Sequence, residues 1–267
     1  MSRDYRLKMQ AGTALLAAAA GSFALTGNAM SPRRARTMPA AQGGFALSGQ
    51  AISAQRRFYT SFPTIASPVS EGGRWVKNDT TRTQMIVGAA GRCYGTQLGS
   101  GGFDDSCSHL SDVWAPNIQI TATLFVGTCT GIQEVELMAR MADTSSTTRG
   151  YEVNFAWDGS YVNFYRWEGT TAGADFVPLV TPQTYSVSGG FSTGHQIRIT
   201  MIGDTLNAYY NKGSGWVLIN TGGGVSDTST GGHAKWSTGT PGIGAYRELA
   251  SGAGSQFALE DFEAIQL

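Results

Sequence analysis

The sequence is poor in charge, cysteine and histidine. Only 14% of its 267 residues are charged, against about 25% in ordinary soluble domains. Yet 41% are apolar and 10% aromatic, enough to build a core, which excludes disorder across the whole chain. Cys93, Cys107 and Cys129 are an odd number with no CxxC or Cys/His spacing, which argues against a disulfide framework and a structural zinc. Cys93 and Cys107 could close a Gly-rich loop in an oxidising setting, or stay as small buried or loop thiols. The apolar stretch Ala11–Leu25 falls short of the roughly 20 residues of a membrane-spanning helix. Helical periodicity is hard to find after about residue 65.

Glycine, by contrast, is abundant at 36 residues, about twice the usual share. It separates short alternating runs: Ile118–Phe125, Glu134–Met141, Gly150–Trp157, Tyr161–Trp167, His195–Ile202, Thr205–Asn211, Trp216–Ile219 and Phe257–Leu267. Asp158-Gly159 is the strongest two-residue hairpin signal. Strands recurring every 8–15 residues predict an all-β sandwich or barrel.

The segments EVELMARM, RGYEVNFAWDGSYVNFYRWEG, IRITMIGDTLNAYYN, GTPGIGAY and FALEDFEAIQL, in that order, resemble the concanavalin A-like, laminin-G-like jelly roll. The resemblance implies that the strand ending at Arg140 pairs with the one starting at Gly150. It also implies a hairpin at Gly203-Asp204, and a Pro241–Gly244 segment leading into the closing strand. The domains expected are an extended N-terminal arm over 1–62 and the jelly roll over 63–267.

Charge is unevenly distributed although the net is zero. Residues 1–60 hold eight basic residues against Asp4, a surplus of +7, and the remaining eleven basic and eighteen acidic residues leave −7. The arm also repeats itself. Gly21-Ser22-Phe23-Ala24-Leu25-Thr26-Gly27 recurs 22 residues later as Gly43-Gly44-Phe45-Ala46-Leu47-Ser48-Gly49. Units this small cannot bury their apolar face alone and need a partner. Phe23, Leu25, Phe45 and Leu47 would be buried in assembly, with Arg33, Arg34, Arg36, Arg56 and Arg57 pairing to acidic groups. The competing reading is a secretory signal, since Arg3, Arg6 and Lys8 precede the apolar run; a signal peptide has no reason to repeat itself downstream. The repeats, with NDTTRTQMIVGAAGRCYGTQ ahead of the jelly roll, are similar to lectin-like structural proteins of tailed-phage and prophage particles.

Chemistry is sparse. Glycosidases of this fold carry two carboxylates on one strand, and Glu134-Val135-Glu136 is the only candidate. Residues i and i+2 of a strand lie about 6.5–7 Å apart, which does not exclude catalysis. The third acid of the hydrolase pattern is missing, so the pair is expected on a solvated strand face, with Val135 and Leu137 facing the core. GTPGIG lacks the lysine of a phosphate loop and is expected as a turn. Asp104, Asp105, Asp143 and Asp158 could offer oxygens to a structural calcium, although no EF-hand spacing exists; no other metal and no cofactor is expected. Trp157, Tyr161, Tyr165, Trp167 and Trp236 are the candidate glycan-binding aromatics, with core packing as the alternative for each Trp.

These readings converge on a non-enzymatic virion structural protein. The arm would dock to other virion proteins, and the lectin-like domain would project toward host-surface glycans. A homo-oligomer is expected, a trimer as in many phage fibres, with no membrane partner and no role for nucleic acid. The alternative is a secreted bacterial glycan-binding or glycan-cleaving protein.

Overall fold

The computed structural model describes residues 55–77, 83–97, 105–143, 147–169, 176–180, 185–227, 235–248 and 253–267. Phe23, Leu25, Arg33, Arg34, Arg36, Phe45 and Leu47 lie outside them. Sixteen strands and one 3-10 turn, at Gly254–Gln256, make up the regular structure of the described residues.

The first sheet is built on β6 (Ile118–Val126), β11 (Gln196–Ile202), β12 (Thr205–Asn211), β13 (Trp216–Leu218) and β16 (Phe257–Gln266). They run in the order β13-β12-β11-β6-β16. Alongside β16 lie β1 (Arg57–Thr60) and β4 (Cys93–Gly95), and β14 (Val225–Ser226) pairs with β12. The second sheet runs β10 (Phe176–Pro178), β9 (Val162–Gly169), β8 (Thr148–Ala156), β7 (Gln133–Asp143), β15 (Thr240–Arg247), β5 (Ser106–Leu110) and β2 (Trp75–Lys77). β3 (Thr83–Val87) pairs antiparallel with β4 and parallel with β5, linking the two sheets.

Period-2 alternation explains the packing. Ile118, Ile120, Ala122 and Leu124 of β6, with Ile197, Ile199 and Met201 of β11, share one core with Val135, Leu137 and Ala139 of β7 and Val153 and Phe155 of β8. Both expected hairpins form. Asp158-Gly159 joins β8 to β9 with Gly159 at φ +71°, where a Cβ would stand 2.1 Å from the Val187 carbonyl oxygen. Gly203-Asp204 joins β11 to β12.

Three expectations are corrected. Arg56 and Arg57 belong to the sandwich, not to an arm, because β1 pairs with β16; Arg57 forms an ion pair with Glu263, and Arg56 pairs with Asp112 at 2.6 Å. GTPGIG is no turn but part of buried β15. The cysteines are all free; Cys93 and Cys107 are packed into separate apolar clusters, which rules out a bond between them.

Candidate functional site

The residues of the second sheet that point away from the main core form successive rows across the strands. One row runs Cys107, Gly244, Glu136, Asn154 and Asn163 from β5 to β9. The next runs His109, Gly242, Met138, Glu152 and Tyr165, and Glu134 stands opposite Tyr246 on its other side. Alternation thus brings Glu134, Glu136, Glu152 and two amides onto one face.

That face is not solvated. Glu134 is 8% exposed, Glu136 0% and Glu152 1%, which corrects the expectation of a solvent-facing pair. The burial has identifiable sources. Gly244 leaves room for the Glu136 carboxylate, since a Cβ there would stand 1.9 Å from Glu136 Oε2. Trp167 lies over Glu152 and donates its indole N–H to Glu152 Oε2 at 2.6 Å. Asp105, just ahead of β5 and also buried, completes a cluster: one carboxyl oxygen each from Asp105, Glu134 and Glu136 lies within 4.8 Å of the others.

Burial, and then the nearby Asp105 charge, push the Glu134 carboxyl up to about 8, while hydrogen bonding from Tyr161 and Asn154 opposes the rise. Tyr161 is itself pushed well upward by burial and by Glu134. Burial and the charges of Glu152 and Glu134 raise Tyr165 to about 12. Glu134 Oε2 has no hydrogen-bond partner. A cavity of about 10 Å³ adjoins Glu134 and is also lined by Gln97, Gln133, Tyr246 and Arg247. That is room for about one water.

Of the aromatic candidates, Tyr161, Tyr165 and Trp167 come together on this face, and Trp236 joins them by donating its indole N–H to the Trp167 carbonyl at 2.9 Å. Trp167 is only 1% exposed, and Trp236 is half-buried beside the Arg149 and Arg166 guanidinium groups. Trp157 stands apart at the β8–β9 turn, donating to the Gly131 carbonyl at 2.9 Å. Of the acidic residues proposed for calcium, Asp158 caps Ser160 in its own turn. Asp105 instead meets Glu134 and Glu136, a grouping with no local sequence signal because its members are 29 and 31 residues apart.

A second concavity opens elsewhere. Leu179, Val180 and Tyr185 face Thr221–Ser226 across a groove of about 370 Å³. Tyr185 is held in place by a bridge to Val162 and an edge-on contact with Phe164.

No family model and no curated protein matches the chain. Solved structures do. The exoplasmic/lumenal domain of VIP36 in its metal-free form superposes with a TM-score of 0.51 at 8% identity, covering 79% of this chain and 91% of that one. β-Agarase A in complex with oligoagarose gives 0.48 at 10% identity, over 80% and 94%. The carbohydrate-binding module CBM66 from Bacillus subtilis gives 0.45 at 13%, over 74% and 96%. The described residues of this chain therefore form a jelly-roll β-sandwich with the fold of the VIP36 exoplasmic/lumenal domain.

Proposed function

We propose that the chain is a non-enzymatic glycan-binding structural protein of the kind carried on tailed-phage particles. Its sandwich projects outward, and its N-terminal arm docks to other virion proteins in a trimer. The groove beside Tyr185 carries the binding half of this reading. Its volume of about 370 Å³ falls in the range of small-ligand sites. Tyr185, Leu179 and Val180 offer the apolar surface that the C–H face of a sugar needs. Thr221, Ser226 and the backbone of Gly222–Gly224 offer partners for hydroxyls.

The carboxylates support binding without cleavage. Hydrolysis requires a glycosidic bond to lie between two carboxyl groups, whereas Glu136 is fully buried and the cavity beside Glu134 has room for only about one water. The assembly half rests on the sequence: the 22-residue repeat and the +7 surplus over residues 1–60. A secreted bacterial glycan-binding protein is the second reading, favoured by the basic and apolar start of the chain; N-terminal analysis of the natural protein separates the two.

The test of binding is an array of bacterial surface polysaccharides probed with the full chain and with Tyr185→Ala. Binding to a defined subset of glycans, weakened about tenfold or more by the substitution, is expected; tenfold corresponds to about 1.4 kcal/mol. Binding that ignores Tyr185→Ala, or no binding on any array feature, would contradict the proposal.

A further inference from the structure

We infer that the groove beside Tyr185 takes neutral glycans and turns acidic ones away, an inference that rests on the glycan reading of that groove. Aliphatic, tyrosyl, hydroxyl and glycine groups line it, and no lining side chain carries a charge. The segments that continue from its two walls, residues 181–184 and 228–234, contain no Asp, Glu, Lys or Arg either. A carboxylate on a sugar would lose water here without meeting a cation, which is unfavourable.

The charges behind the groove add to that penalty. Phe164 packs edge-on against Tyr185, and Arg166 lies two residues further along β9, on the same side of the strand. Its guanidinium pairs with Asp227, next to the lining residue Ser226, at 3.0 Å and with Glu168 at 3.0 Å. One cation between two carboxylates leaves a surplus of negative charge among the described residues, and like charge repels an acidic ligand.

What the wall does offer suits hydroxyls. Gly222 and Gly223 are exposed, at φ +112° and +127°. Among the described residues nothing accepts from their amide N–H groups. Backbone amides and carbonyls are dipoles without net charge, and a hydroxyl both donates and accepts. Two buried side chains hold this loop in place. Asn220 donates to the Gly223 carbonyl and to Asn207 Oδ1, each at 3.1 Å, and accepts from the Ala208 amide at 2.9 Å. Asp227 anchors the other end through Arg166. A loop fixed in advance loses little freedom when a sugar binds.

The test probes the full chain with an array that carries uronic acid-containing bacterial polysaccharides, each untreated and carboxyl-reduced, beside neutral ones. Reduction converts each uronic acid to the neutral sugar and keeps the linkages. Binding lost in Tyr185→Ala, with its fold checked by circular dichroism, is groove binding. It should go to neutral and carboxyl-reduced glycans, with the acidic parents about tenfold weaker or more. It should also persist in 1 M NaCl, which screens charges beyond about 3 Å. If Tyr185→Ala does not fold, Thr221→Lys marks the same groove. Its cation on the exposed rim should raise binding of the acidic parents about tenfold at low salt, and unchanged selectivity would overturn the inference. Groove binding of acidic parents as tight as that of their reduced forms would also overturn it, while leaving the glycan reading intact. Absence of Tyr185-dependent binding to any feature would defeat the glycan reading and this inference with it.

Discussion

A carboxyl group buried beside two others stays protonated unless a cation joins it, and Glu134 shows the consequence. Its carboxyl is raised from 4.5 to about 8, so between those values the folded protein holds a proton that the unfolded chain has lost. Stability from this group is therefore complete below about pH 4.5 and declines as pH rises toward 8. The unfolding free energy measured by urea denaturation should fall from pH 5 to pH 8, with a slope of up to about 1.4 kcal/mol per pH unit; Glu134→Gln should flatten it. A flat profile in the parent protein would contradict the burial. Gly244→Ala tests the same site sterically. Its Cβ would collide with the Glu136 carboxylate, and overpacking of this kind costs about 1–3 kcal/mol, measurable by urea denaturation. The shared face of Glu134 and Glu136 was legible in the sequence, since two acids flanking Val135 alternate by the period of a strand. Their burial was not legible. It depends on Gly244 and Trp167, which arrive from other strands, and on Asp105, just ahead of β5.

At the scale of elements, the hairpins were readable because their turns are local: Asp158-Gly159 and Gly203-Asp204 each act within two residues. β15 was obscured by its own glycines. Gly242 and Gly244 suggest a turn, yet they alternate with core residues Ile243 and Ala245, and they are small because Met138 and Glu136 pack against them. The β7–β8 pair also carries a bulge between Ala139 and Ala142. There Arg140 adopts φ +54° and donates to the carbonyls of Pro116, Trp236 and Gly203, tying separate loops to one strand. On β9, the fully buried Arg166 pairs with Asp227 at 3.0 Å and with Glu168 at 3.0 Å, and Tyr151 donates to Asp227 at 2.7 Å. Asp227→Ala removes the anion that serves both groups. Breaking a buried pair in this way costs about 3–5 kcal/mol, and chemical denaturation should show a loss of that size.

For the whole molecule, the boundary of the sandwich follows from β1. Phe58 packs edge-on against Trp75 at 5.8 Å, and Trp75 against Phe262 at 5.0 Å, so the segment ahead of residue 63 helps close the core. A fragment of residues 55–267 should melt within a few degrees of the full chain, whereas residues 63–267 should melt well below it; equal melting of the two would show that β1 is dispensable. The central claim is that a lectin-like sandwich with sealed carboxylates binds glycan without cutting it. Its most direct test is release of reducing ends from an array-positive glycan during prolonged incubation with the full chain. The account predicts no release above buffer. Release that Glu136→Gln abolishes would contradict it.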